Sequence, residues 1–348
     1  MTEASMHPDV VTCATPDPAD AAAVALSCAV AAGLATANAA QARLHLRPGR
    51  TETADLTDPD GAPERPRSVD PGRSRATDDG STESRPAGAK SARPGDVDGG
   101  PAWLRCADLI DRPAGLADWA ARTRQWLRAD YGEAPDRTVA GYLLGWYLGV
   151  PAATGAILFH TVRRVPELRP ADLAFALDTP RPQPTEVALL APTFGCLPDD
   201  PAAELPGATV VADEAALAEL LRARFVAHAA RFVPAFAAAI NTPDGIFAGR
   251  LRLGRRTLWA TATDALDVAL WVAGRDCADE AAGVADAALV LPAAHPPLTS
   301  ASTLRPAVSA AERTPDTRWI RRRESCCFHY VLRDGAGECR TCPRVHPR

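Results

Sequence analysis

"RTVAGYLLGWYLGVPAATGAILFHTVRR", residues 137–164, decides what kind of chain this is. Setting His160 aside, no acidic or basic side chain interrupts it between Arg137 and Arg163. A stretch of that length can span a bilayer. Three features oppose that use: Pro151 stands mid-stretch, several glycines thin the hydrophobicity, and Tyr142, Trp146 and Tyr147 lie inside it. The reading is therefore a pair of buried helices broken near Val150-Pro151, since proline lacks the N–H a helix interior needs and restricts its predecessor. No transmembrane span is expected; peripheral contact with a membrane stays open.

On the N-terminal side, "GLADWAARTRQWLRADYG" places Leu116, Trp119, Ala120, Trp126 and Leu127 at helical spacing. On the C-terminal side, the apolar run Val187 to Ala191 and "GATVVA" from Gly207 read as short strands. Asp213 then has the position of an N-cap for the long helical pattern "DEAALAELLRARFVAHAARFVPAFAAAI", which Pro234 should kink. "NTPDG" is a turn, and "IFAGRLRLGRRTLWATATDALDVALWVAGR" a further helix. After Gly283 the chain reads as Pro-rich and irregular. Alanine supplies much of the apolar content and favours helix over strand. The fold class is mainly α with minor β.

Residues 1–46 read as an N-terminal helical segment, with Asp17 as cap and Pro18 in the first helical position. Residues 47–100 contain no aromatic side chain and are rich in Pro, Gly and mixed charge, the composition of a disordered linker or insertion. Residues 101–320 form the helical body, and 321–348 a C-terminal segment of different chemistry. The net charge of −5 argues against nucleic acid as a partner. The N-terminus "MTEASMHPDVVTC" lacks a basic region ahead of the Ala-rich stretch, so that stretch does not read as a secretory signal, and the protein is expected in the cytoplasm. There, clustered thiols bind metal or do redox work more often than they form structural disulfides.

Four of the nine cysteines lie in "ESCCFHYVLRDGAGECRTCP", residues 324–343. Cys339-x-x-Cys342 is a local clasp that turns two sulfurs onto one metal. "FHYVL" alternates with period two and "RDGAG" supplies a turn, so a hairpin should return the second pair to Cys326-Cys327. Adjacent cysteines on extended chain point to opposite sides. A bend at Ser325-Cys326 would let both serve one centre. The residues alone leave a [2Fe–2S] cluster, zinc and a vicinal disulfide open, in that order.

The segment "RRRESCCFHYVL…GECRTCP" resembles the C-terminal signature of the FhuF-like ferric-siderophore reductases: an arginine pair shortly before Cys-Cys, an aromatic-rich stretch, then Cys-x-x-Cys. The resemblance is sharp over this segment and loose over the body. It implies a small cysteine-rich iron–sulfur hairpin on a helical siderophore-reductase-like body. Cys326, Cys327, Cys339 and Cys342 would ligate one [2Fe–2S] cluster. It further implies one-electron reduction of a ferric siderophore to release Fe(II), with electrons from an external donor such as a ferredoxin. The interval between the cysteine pairs is one residue longer than is usual in that family, and "RDGAG" is where a turn absorbs it.

Among other residues, Arg321, Arg322 and Arg323 could steer an acidic siderophore or donor, or form a solvated basic stretch. Arg250, Arg252, Arg255 and Arg256 fit a polar helix face better than a substrate cleft. Cys13, Cys28, Cys106, Cys196 and Cys277 lack ligand spacing and read as small hydrophobes. His329 and His346 flank the cysteines as surface or supporting residues, and Trp259 and Trp271 read as core. "GRLRLG" lacks the preceding strand and glycine spacing of a dinucleotide site, and no catalytic triad or HExxH pattern is present.

Overall fold

The structure, a computed structural model, describes residues 18–40, 44–48, 103–307, 318–332, 337–339 and 341–345. Cys13, Asp17, His346 and nearly all of the 47–100 segment lie outside these residues. At the centre stands one unbroken helix, α4 (Asp136–Val162), built from the stretch that opened the sequence reading. Around it pack α1 (Pro18–Ala40), α3 (Pro113–Tyr131), α5 (Glu214–Asn241) and α6 (Arg255–Asp276).

The absence of charge in α4 follows from this enclosure. From Val150 to Phe159 nearly every residue is buried, so the helix has no face on which a charge could meet water. Three helices, α1, α4 and α5, contain segments long and apolar enough to cross a membrane. In α4 that apolar window is 72 % buried within the fold, so its hydrophobicity is used up by packing.

Pro151 does not divide the helix in two, contrary to the sequence reading. A proline inside a helix costs about 3 kcal/mol. Burying Leu148, Val150, Ile157 and Phe159 around it returns about 1.5–3 kcal/mol for each such side chain. Enclosure therefore outweighs the broken ladder. The Thr154 hydroxyl also donates to the Val150 carbonyl beside it (2.8 Å). One turn on, Gly155 permits close approach of α5, where a Cβ would stand 2.5 Å from Leu221.

Leu116, Trp119, Ala120, Trp126 and Leu127 are buried in α3, as its spacing foretold, and Thr123 is buried with them. Asp213 caps α5, accepting the Ala216 N–H at 2.8 Å, and α5 runs on through Pro234. Helix α6 starts at Arg255, later than the sequence pattern suggested; residues 246–249 form a turn and 250–254 run irregularly into it. Regular structure also continues past Gly283: α7 (Glu280–Val290) packs on α6. Gly283 lies inside α7, where it serves contact. A Cβ on Gly274 of α6 would lie 2.5 Å from the Gly283 backbone, and bare backbone lets the helices touch.

The strands form small sheets on the bundle. β1 (His45–Pro48), β5 (Pro184–Leu189), β4 (Leu173–Leu177) and β2 (Trp103–Arg105) make four strands in that order, β1 running parallel to β5. β3 (Arg164–Pro166), β6 (Phe194–Cys196) and β7 (Ala208–Val210) make three. β8 (Leu304–Pro306) and β9 (Trp319–Arg321) make an antiparallel pair. α2 (Cys106–Asp111) follows β2. The N-terminal helix thus ends at Ala40, and His45 to Pro48 are strand, held by Asn38, whose side chain bonds both the N–H and the carbonyl of Leu46. The boundaries expected at 46/47 and 320/321 each fall inside a strand, β1 and β9.

Candidate functional site

The C-terminal cysteines are positioned by one buried carboxylate. Asp264, in the middle of α6 and 4 % exposed, faces the chain that leaves β9. Its Oδ1 accepts from Arg321 Nη2 (2.8 Å) and the Glu324 N–H (2.9 Å). Its Oδ2 accepts from the Ser325 N–H (2.8 Å) and the Ser325 hydroxyl (2.6 Å). A carboxylate with this many donors is fully satisfied in the interior and fixes the backbone that supplies them. One turn along the same helix, Asp267 holds Ser302 (Oγ, 2.6 Å) and Thr303 (Oγ1, 3.0 Å). Asp264 and Asp267 together fasten the route into the cysteine segment.

The chain bends at Glu324 and Ser325, the place where the vicinal pair requires it. A second bend follows at Phe328, whose φ of 59° lies in the left-handed region that non-glycine residues rarely occupy. Helix α4 holds that conformation: the Thr138 hydroxyl donates to the Phe328 carbonyl (3.0 Å), and Arg137 lies 5.3 Å over the Phe328 ring. Beneath the pair, Gly141 leaves room for the Cys327 carbonyl, which would stand 2.9 Å from a Cβ there. The second pair is tied in by the Arg323 N–H, which donates to the Thr341 carbonyl (3.0 Å), and it turns on its own Cys342 N–H to Cys339 carbonyl bond (2.8 Å). Among the described residues the strand hairpin expected from "FHYVL" is not formed. Residues His329–Val331 make a single 3₁₀ turn, because the Phe328 bend breaks the alternation before it can pair. Of "RDGAG", only Gly337 is among the described residues.

The electrostatics centre on Arg323. Burial opposes its charge, but Asp264 and then Cys327, Cys339 and Cys326 overcome that and hold it more firmly protonated. For Cys326, burial is the largest influence and pushes the thiol up; the Phe328 N–H (3.4 Å from the sulfur) and Arg323 pull the other way. His329 packs its ring edge against Tyr131 and its Nδ1 lies 2.9 Å from the Tyr142 hydroxyl. Burial, then Arg181, lowers its pKa. The four cysteines therefore share one corner. Among the described residues, no three Cys, His, Asp or Glu side chains close about a common point.

Of the three arginines singled out in the sequence, Arg321 is no surface group. It is 4 % exposed and committed to Asp264. Arg322 pairs with Glu324, and Arg323 faces both Asp264 (3.7 Å) and the cysteines. Arg250, Arg252, Arg255 and Arg256 are exposed, with Arg250 bonded to Asp136 (3.2 Å). Cys106 and Cys196 are buried, Cys277 partly so, and Cys28 is exposed. Trp259 is core, whereas Trp271 is half-buried, its indole N–H donating to Glu280 (2.7 Å).

Sequence reasoning missed Asp264. Its signal was present, two acids at i and i+3 on a helix otherwise rich in Ala, Leu and Val, but that pattern also describes an ordinary exposed stripe. Between α4 and α6, beside Cys327, opens a cleft of about 310 Å³ lined by Tyr142, Trp146, Trp271 and Arg323. Larger hollows exist, of about 490 Å³ at Arg224 and His228 and about 900 Å³ between α5 and the start of α6, but none of the four cysteines lines either one. Chemistry, not size, makes the smaller cleft the candidate.

This corner brings together four cysteines, a buried carboxylate clamp and an adjoining cleft. Residues 323–344 match the family model of the FhuF 2Fe-2S C-terminal domain, a span that includes all four cysteines, and the match supports an FhuF-like family. No curated protein and no solved structure matches the chain. The donor set fits the cluster that the domain is named for, because its ligands are characteristically cysteine thiolates. Nothing found supports zinc in its place.

Proposed function

We propose that this chain is a ferric-siderophore reductase of the cytoplasm, taking single electrons from an external donor such as a ferredoxin and passing them to an Fe(III) chelate. The observation that carries the reading is the FhuF-type segment, residues 323–344, seated beside an open cleft. Cys326, Cys327, Cys339 and Cys342 would hold the [2Fe–2S] cluster, which when bound supplies one-electron chemistry. Arg323, next to three of these cysteines, sets a fixed positive charge there that favours an added electron. Asp264 keeps Arg321 and the backbone of Glu324 and Ser325 in place. The cleft gives a chelate a seat next to Cys327, and passing one electron needs no side-chain acid or nucleophile. The substrate iron gains one electron, its hard oxygen donors bind Fe(II) far more weakly than Fe(III), and the ion is released.

The test is the visible spectrum of anaerobically purified protein, with iron, sulfide and zinc assayed on the same sample and a ferric siderophore then added. Absorption across roughly 320–600 nm, about two irons and two sulfides per chain, and Fe(II) release on addition of chelate and donor are expected. A colourless protein carrying zinc and no sulfide after reconstitution would overturn the reading.

A further inference from the structure

The hollow of about 900 Å³ between α5 and the start of α6 has no part in the cysteine corner. One face of α5 forms its length: Val226, Ala230, Val233 and Ala237 recur at helical spacing, and Asn241 ends the row. At 1.5 Å per residue that row runs about 22 Å. Leu258 and Trp259 of α6, with Pro296 and Pro297, make the other side. The groove accounts for a surplus in α5. Its apolar window is 39 % buried, against 72 % in α4, so α5 keeps apolar surface that the fold does not use. That surface is recessed, for none of the large apolar side chains that stand exposed lines the groove. A concave apolar surface encloses a ligand.

The far end is cationic and uncompensated. The Asn241 Oδ1 accepts the Leu253 N–H (3.2 Å) and so brings the start of α6 to the end of the row. Arg255 is the one charged side chain that lines the groove, and no Asp or Glu does. Arg255 and its neighbours Arg252 and Arg256 are exposed and have no hydrogen-bond or ion-pair partner among the described residues. Arg255 and Arg256 also open α6, whose first turn holds no acid and whose N-cap, Gly254, supplies no side-chain bond. Positive charge at the positive end of a helix is the unfavourable arrangement, and a bound anion offsets it.

We propose that this groove binds a single long-chain carboxylate, with its aliphatic tail laid along α5 and its head at Arg255. The volume lies in the upper range of small-ligand sites. The length exceeds the roughly 15 Å that one acyl chain occupies as half of a bilayer core. The tail meets apolar side chains throughout, and the head meets the only charge on the wall. The site is separate from the cysteines and does not depend on the reductase reading.

Isothermal titration of the full chain with dodecanoate, kept below its micelle-forming concentration, is expected to show saturable binding of one molecule per chain. Octanoate lacks four of the methylenes, each worth about fourfold in affinity when buried, and should bind at least tenfold more weakly. Dodecylammonium, the same tail with the opposite charge, should also bind at least tenfold more weakly. Arg255→Gln should weaken dodecanoate several-fold and leave dodecanol unchanged, a difference that a general loss of structure would not produce. Ala230→Trp, at an exposed position of α5, should keep the unfolding midpoint and abolish binding of both. No saturable binding of dodecanoate, equal affinity for dodecylammonium, or an affinity unaltered in both variants would overturn the assignment. Capture by vesicles of an anionic lipid, without binding of the monomeric acid, would overturn it too and make this face a membrane contact.

Discussion

Asp264 carries more of the site than any cysteine does, because it holds in register the backbone from which Cys326 and Cys327 project. Replacing it with Asn keeps the shape and removes the charge, leaving Arg321 buried without its counter-ion. Breaking a buried pair in this way costs about 3–5 kcal/mol. Asp264→Asn should therefore lower stability by about that amount in urea titrations and reduce the iron and sulfide retained per chain, although every thiol remains. A second buried group sets acid behaviour. The Nδ1 of His228 donates to the Leu168 carbonyl, its Nε2 accepts from the Tyr147 hydroxyl (3.0 Å), and burial pulls its pKa down to about 4. The unfolded chain takes up this proton as pH falls below 6.5, while the folded one does so only near 4. Stability from this residue is thus full above 6.5 and drains away between 6.5 and 4, by roughly 3 kcal/mol. Urea midpoints at pH 7.5 and 4.5 should show that loss in the native chain and a smaller one in His228→Gln; equal losses would refute the assignment. At this scale the cysteines were legible because spacing is a property of sequence. The clamp was not, since its partners lie 57 to 61 residues away.

Helix α4 serves as core and as platform at once, and its glycines divide the two duties. Gly141 lies under the Cys327 carbonyl, where an added methyl meets backbone that cannot step aside, while Gly145 one turn on meets nothing. Gly145→Ala should raise stability by about 0.5–1 kcal/mol through helix propensity alone. Gly141→Ala should lose that gain and displace the cysteine pair, which paired thermal melts and iron assays would show. The elements themselves were read from the sequence with uneven success. The periodicity of α3 and the cap of α5 are local signals and survived folding. The continuity of α4 through Pro151 and of α7 through Gly283 depends on neighbours, and a proline or glycine read alone cannot disclose what packs against it. The strands are three to six residues long, too short to leave a clear period, and β1 pairs with residues of β5 that lie 141 positions further along the chain.

Taken as a molecule, a chain of net charge −5 turns arginines toward its cysteine corner. Arg137 covers Phe328 and Arg344 covers Tyr330, beside the exposed Val331 and Val345. A rim of that kind suits an acidic protein donor, and steering by exposed charge weakens as salt shortens its reach. Electron transfer from such a donor should slow several-fold as salt rises from about 0.05 to 0.5 M. The double variant Arg137→Glu, Arg344→Glu should start slow and respond little, in stopped-flow traces with a small uncharged reductant as control. The helical body and its terminal cysteine corner were both visible in the sequence, but their union was not, for it is made by α4 and α6 together. Each fixed point of the cysteine segment, Thr138 and Gly141 on one helix and Asp264 and Asp267 on the other, belongs to the two helices that pack against each other at the centre. The corner therefore owes its shape to the docking of α4 against α6, and a substitution that loosens that contact would disturb the cysteines without touching any of them.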